Sequence, residues 1–234
     1  MNSINGRARL RQRRIMGYFI EAADAIIKEE GIDALTIRKV ADKAGYTSAT
    51  LYNYFDNLNH LLFLASMNHI VAYNNEIERR VASCNNSVEI YLTICECFCE
   101  YSFKEPEIYN LLFYSNQDDK MEEYTQQYYE LFESEKKCDP PTLSKIININ
   151  NLFKRSYIMV MDCVDDGYFT HENGEDFNEV AMLLNRSILK DVLEGKLNAK
   201  EATDKNMKYY RQLMGFYIEP EHKGLLKREK TEQN

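Results

Sequence analysis

Apolar residues recur along this chain at three- and four-residue intervals, the signature of amphipathic helices. Ile15, Phe19, Ala22, Ala23 and Ile26 form the first stripe, predicting a helix that starts near Arg13 and stops at Gly31. Thr36 reads as an N-cap for a short helix through Ala44, closed by Gly45. A tight turn at Tyr46 leads to a second cap, Thr47, and a helix to about Phe55. Two short helices with a Gly between them and a cap before the second make a helix-turn-helix pattern. Asp56–Leu58 break the pattern before a long helix predicted from Asn59 to Ala82.

Beyond Ser83 the stripes continue. Val88, Tyr91, Leu92, Cys95, Phe98 and Cys99 mark a helix ended by Pro106. Short helical stretches follow at Glu107–Ser115 and Lys120–Glu135, before Asp139-Pro140-Pro141 resets the chain. Thr142 is expected to cap a helix carrying Ile146, Ile149, Phe153, Tyr157, Val160 and Val164, stopped by Gly167. Phe177, Val180, Ala181, Leu184, Ile188 and Val192 define the next helix, ended by Gly195. The last starts near Ala199 and carries Met207, Tyr210, Leu213, Met214 and Tyr217. From Pro220 the charged text reads as a loose tail. The expected fold class is all-α.

Composition supports this reading. Only 9 Gly and 4 Pro in 234 residues argue against a turn-rich β fold. Apolar runs such as Tyr157–Met161 fall far short of the roughly 20 residues a membrane helix needs. The first apolar stretch is broken by Glu21 and Asp24, which argues against a secretory signal. A cytoplasmic protein is therefore expected, with its cysteines reduced. Cys95 and Cys99 would share a helix face, but no His or further Cys pair completes a metal site. Neither a nucleophile–base set nor a phosphate-binding loop is present, so the chain is expected not to be an enzyme and to need no cofactor.

The net charge of -8 is uneven. Residues 1–50 carry nine Lys/Arg against six Asp/Glu, and residues 61–234 carry twenty against thirty. Five of those basic residues are arginines within Arg7–Arg14. A basic head on an acidic body suits a polyanion partner, although a solvated N-terminal tail gives the same pattern.

The segment Thr47–Phe55 carries the chemistry. At 100° per residue, Leu51 and Phe55 point together toward Val40, Ala41 and Ala44. Ala49 and Asn53 then face away from the core, with Thr50 and Tyr54 on one flank and Tyr52 on the other. Small and hydrogen-bonding residues fit a major groove, where methyl groups meet thymine methyls and Asn reads a base edge. Tyrosine hydroxyls suit phosphates. For an isolated stretch, an ordinary surface helix explains these residues equally well.

The ordered combination points further. Ala22-Ala23, then Gly31-Ile32-Asp33-Ala34-Leu35-Thr36-Ile37-Arg38-Lys39-Val40-Ala41, then Ala44-Gly45-Tyr46-Thr47-Ser48-Ala49-Thr50-Leu51-Tyr52-Asn53-Tyr54-Phe55, followed by Leu61 and Leu62, resembles the DNA-binding domain of TetR-family transcriptional regulators. The resemblance covers residues 13–64. It implies that Arg38, Thr47, Ser48, Ala49 and Thr50 approach bases and that Tyr52 and Tyr54 clamp phosphates, with Asn53 beside them. The chain departs from the family after Phe55. The family usually carries Lys where Leu58 stands, often with acids where Asn59 and His60 stand. One phosphate contact is then missing or supplied elsewhere, for which the Arg7–Arg14 arm is a candidate.

Residues 88–217 resemble the family only as a helical body. The resemblance implies that the last two helices pair with their copies in a homodimer, through Phe177, Val180, Ala181, Leu184, Ile188, Tyr210, Leu213, Met214 and Tyr217. Independently, Met182, Leu183, Leu189 and Leu193 widen the first of these stripes beyond one packing face; burial within one subunit is the alternative. Tyr91, Cys95, Phe98, Phe113, Tyr128, Phe153, Tyr157 and Met161 are candidates to line an apolar cavity for a small-molecule effector of apolar or aromatic character. Asn150 and Asn151 are polar candidates on the same stretch.

Together these observations predict a head (1–60, with a basic arm at 1–12), a regulatory and dimerisation body (61–219) and a charged tail (220–234). The expected function is a ligand-responsive transcriptional regulator, a repressor that binds a palindromic double-stranded DNA operator as a homodimer and is released by its effector. The alternative is a helical sensor or adaptor that has lost specific DNA binding.

Overall fold

The computed structural model describes residues 2–115, 120–132, 145, 146, 149 and 151–226. Among them the chain is all helical, with no strand. The helices are α1 (Asn2–Glu30), α2 (Ile37–Ala44), α3 (Ser48–Leu51), α4 (Leu58–Val81), α5 (Ser87–Lys104), α6 (Pro106–Asn110), α7 (Met121–Leu131), α8 (Leu152–Asp165), α9 (His171–Leu193) and α10 (Ala199–Tyr217). A single π-helical turn, Leu111–Ser115, continues α6.

Helix α1 begins at Asn2, well before the expected Arg13. Arg, Leu, Ala and Gln are good helix formers, so the helix continues where its apolar stripe ends. The recognition segment is a four-residue helix rather than nine, yet its turn continues: Tyr52 N–H donates to Ser48, and Phe55 N–H to Leu51. Helix α8 starts at Leu152, capped by Asn151 accepting from Lys154 N–H at 2.9 Å. The cap expected at Thr142, the Asp139-Pro140-Pro141 break and Asn150 lie outside the described residues. Of the segment expected to be a loose tail, Pro220–Leu226 forms a 3-10 stretch, with His222 against the Tyr168 ring at 4.8 Å, and 227–234 lie outside the described residues.

The chain divides into two compact units, Met1–Ala72 with Asn116–Lys137, and Tyr73–Ser115 with Cys138–Asn234. In the first, Met16, Phe19, Ile20, Ala23 and Ile26 of α1 are buried, as are Val40, Ala41, Leu51 and Phe55. Phe19 meets Phe55 edge-on at 5.9 Å. Seven large side chains of this kind, Met16, Phe19, Ile20, Ile26, Val40, Leu51 and Phe55, each stabilising by about 1.5–3 kcal/mol when removed from water, hold α1, α2 and α3 together. The second unit packs α9 against α8 and α10, with α5 against α8 and α10. Its caps are local: Asn86, Thr170 and Asn198 each accept a backbone N–H at the first turn of their helices.

Candidate nucleic-acid interface and effector cavity

The turn between α2 and α3 is built by Gly45 and Thr47. Gly45 sits at φ 76°, a left-handed conformation that ends α2 while Tyr46 N–H returns to the Ala41 carbonyl at 2.9 Å. Thr47 then starts α3, its hydroxyl oxygen accepting from Thr50 N–H at 3.2 Å. With Leu51 and Phe55 anchored in the core, Ala49, Tyr52 and Asn53 are exposed, Tyr52 at 59%. Ser48, Thr50 and Tyr54 are half-buried. The Thr47 and Thr50 hydroxyls lie 3.0 Å apart and share a hydrogen bond. Tyr54 leans on Phe19, with ring centres 6.4 Å apart.

Charges on this unit are partly committed. Lys39 binds Glu30 at 2.8 Å and Lys43 binds Glu29 at 2.6 Å. The Lys39 hydrogen bond holds the Glu30 carboxyl below its ordinary range. Arg38 stands off at 3.8 Å from Asp42 in a highly exposed pair, which costs little to break. The side chains of Arg7, Arg9, Arg11 and Arg14 are exposed along α1, and Arg13 lies over the Phe132 ring at 5.6 Å. The eight residues expected at DNA therefore sit on one short segment and the adjacent first turn of α2.

The position of His60, where the chain departs from its family resemblance, has a different use. His60 is buried, its ring stacked on Tyr124 of α7 with centres 4.0 Å apart. Its Nδ1 accepts from Asp56 N–H at 3.2 Å, and its Nε2 lies 2.8 Å from Gln127 Oε1. Lys120 and Tyr124 both donate to Asp56 Oδ2, at 3.1 and 3.3 Å. Sequence reading missed this cluster, because its halves are more than sixty positions apart.

The second unit holds a narrow cavity of about 20 Å³. Of the residues expected at a ligand, Cys95 and Phe98 line it. Tyr91 is one bond away through the Ser156 hydroxyl at 3.2 Å, and Phe113 packs on Phe98 at 5.3 Å. Phe153 is exposed, Tyr157 reaches Glu175 at 3.4 Å, and Met161 lies against Gly174, so none of these three faces the cavity. Tyr128 belongs to the first unit, where it donates to Asn68 at 2.7 Å. The polar residues in the lining are Arg155, Ser156 and Asn185, with the tyrosines Tyr73 and Tyr210. Arg155 was legible as a candidate, since Leu152, Arg155, Ser156, Met159 and Cys163 share one helical stripe with a charge in it. Burial pushes the Cys95 thiol up to about 12 and the Cys99 thiol upward, so both are neutral small core groups. No cluster of three or more His, Cys, Asp or Glu that could hold a metal occurs among the described residues.

Of the nine residues expected at a dimer contact, Phe177, Ala181, Ile188, Tyr210 and Met214 are buried within their own unit. Phe177 fills the space between Tyr91 and Phe169, at 5.5 and 5.4 Å. Val180 is exposed, and Leu184, Leu213 and Tyr217 are half-buried.

This arrangement of α1, α2 and α3 meets its counterpart in known proteins. Residues 19–64 match the pattern of the bacterial regulatory proteins of the tetR family. This segment is a TetR-family head. The fold of the TetR regulators extends over nearly the whole chain. A crystal structure of RolR in complex with resorcinol superposes with a TM-score of 0.59 at 11% identity, covering 94% of this chain and 96% of that one. A TetR transcription regulator from Haloarcula marismortui gives 0.57 at 13% identity, covering 88% and 99%. Thermus thermophilus FadR, a TetR-family transcriptional repressor in complex with lauroyl-CoA, gives 0.54 at 15% identity, covering 83% and 92%. Among curated proteins no relative matches. No helix among the described residues is long and apolar enough to cross a membrane.

Proposed function

We propose that this chain is a ligand-responsive transcriptional regulator: a cytoplasmic repressor that binds a palindromic DNA operator as a homodimer and releases it when an effector occupies the body. The observation that carries the reading is the TetR-family segment whose buried Leu51 and Phe55 leave Ala49, Tyr52 and Asn53 open to a groove. A separate helical unit with an internal cavity supports the effector half of the proposal, as do the resorcinol and lauroyl-CoA complexes of similar folds. A dimer would set two such segments about 34–36 Å apart on one face of the duplex. The effector would act through α4, which runs through both units, and only by binding the two head separations with different affinity.

A gel shift against DNA flanking the chain's own gene tests this. The expected complex is sequence-specific and weakens steeply with salt, as phosphate contacts require. One observation favours the rival adaptor reading: Lys39 and Lys43 are committed to Glu30 and Glu29, and Leu58 stands where the family resemblance expects Lys. A folded, effector-free protein showing no sequence preference at low salt establishes that rival.

A further inference from the structure

Arg155 is 2% exposed, yet its Nη1 and Nη2 have no hydrogen-bond partner and no carboxylate forms an ion pair with it among the described residues. Its guanidinium carbon lies 5.5 Å from the ring centres of both Tyr73 and Phe113. Both rings stand against the guanidinium, and its two terminal nitrogens are left without a hydrogen bond. The side chain lines the cavity with Phe98, Met159 and Met182. A buried cation stripped of water and given no counter-charge is costly to the folded state. Such a cost persists where something else supplies the charge.

We infer that the effector is an organic monocarboxylate with a compact apolar or aromatic body, its carboxylate held in the fork of Arg155. The inference rests on the ligand-responsive reading above. Two parallel N–H groups match the two oxygens of a carboxylate, a short and geometrically selective pairing. The walls suit an apolar body. Three further polar residues of the lining are engaged: Ser156 with Tyr91, Asn185 with both Tyr114 and the Cys99 sulfur, and Tyr210 with the Ala181 carbonyl. A phosphate dianion would need more donors than this cavity offers. At about 20 Å³ the ligand-free space holds about one water. Met159 and Met182 are the unbranched side chains best able to yield to a larger body.

The test uses full-length protein, titrated with benzoate, hexanoate and octanoate and with the matching neutral amides. Binding is read by calorimetry and by melting temperature. At least one acid is expected to bind saturably and at least tenfold more tightly than its amide. Arg155→Met should erase that preference, and should itself raise the melting temperature of the ligand-free protein, because an uncompensated charge has been replaced by a close-fitting apolar chain. Arg155→Lys, which keeps the charge but not the fork, should still prefer the acid, with weaker affinity, and serves if the Met variant does not fold. Equal binding of acid and amide, unchanged acid binding by Arg155→Met, or no binding of any acid overturns the assignment. An amide that binds and releases DNA overturns it while leaving the ligand-responsive reading intact. An acid that binds through Arg155 but never alters DNA affinity leaves the site standing and removes that reading instead.

Discussion

The rings of His60 and Tyr124 lie face to face, 4.0 Å apart and within 6° of parallel, fastening α7 beside the start of α4. The pairing requires a neutral imidazole, because Nδ1 accepts from Asp56 N–H while Nε2 faces the Gln127 carbonyl oxygen. Burial holds His60 below its ordinary value of 6.5, outweighing Gln127, Asp56 and Glu123, which favour the charged form; Lys120 acts in the same direction as burial. Below pH 6.5 the unfolded chain therefore binds more protons than the folded one, and stability rises with pH in that window. The contribution is complete above pH 6.5 and is lost as pH falls through the lower folded value. The protection of residues 121–131 against hydrogen exchange, measured relative to the intrinsic rate at each pH, is expected to fall between pH 7.5 and 5.5. His60→Ala should lower that protection at both pH values and cost about 1–2 kcal/mol of unfolding free energy. Unchanged exchange in that variant would show that the stack does not hold α7.

The exposed and buried faces of the recognition segment predict opposite phenotypes. Tyr52→Phe and Asn53→Ala touch side chains in the open, so each should leave the melting temperature nearly unchanged. Each is expected to weaken specific DNA binding by about 1–3 kcal/mol, roughly five- to 150-fold in a titrated gel shift. Leu51→Ala empties a fully buried site and should cost about 2–5 kcal/mol of stability, visible as loss of the thermal transition at lower temperature. Loss of DNA binding without loss of fold in the first two variants is the result that separates recognition from packing.

Helix order was legible because each helix carries its own apolar stripe and most carry their own cap. Thr36, Thr47 and Gly45 occupy the cap positions that their residue types predict. The start of α1 was not legible, since propensity rather than a stripe extends it to Asn2. Nor was the use of His60, whose partners arrive from Lys120 to Gln127 and leave no local pattern. Burial sorted the candidates at the dimer and the cavity. Phe177 and Tyr210 stand where the family resemblance implies a dimer contact, and within their own unit Phe177 meets Tyr91 while the Tyr210 hydroxyl donates to the Ala181 carbonyl at 3.0 Å.

Two glycines in helices predict opposite responses to one added methyl group. A Cβ on Gly174 would meet Val164 Cγ2 at 2.8 Å, with Met161 and Val160 close behind. Gly174→Ala should therefore push α9 from α8 and cost about 1–3 kcal/mol, the usual cost of overpacking. A Cβ on Gly17, inside α1, meets nothing within 4 Å. Gly17→Ala should stabilise by about 0.5–1 kcal/mol, through helix propensity and a less disordered unfolded chain. Urea denaturation of the two variants side by side checks the sign of each.

The proposed homodimer has its own discriminating variants on the last two helices. Leu183 is 62% exposed on α9, and Val180 lies one turn before it. On α10, Tyr209, Leu213 and Phe216 recur at four- and three-residue spacing, with Phe216 78% exposed. Large apolar side chains aligned this way in water mark a contact surface more often than scattered exposure does. Leu183→Glu with Phe216→Glu should convert the dimer to a folded monomer in light scattering, with little change in helicity, since neither side chain supports its own subunit. DNA binding should fall with dimerisation, because one head must then hold its half-site alone. Met214→Glu, placed at a fully buried position one turn earlier than Ile218, should instead unfold the body by burying an unpaired charge. A double variant that remains dimeric, at concentrations where the parent is dimeric, would move the interface away from this face.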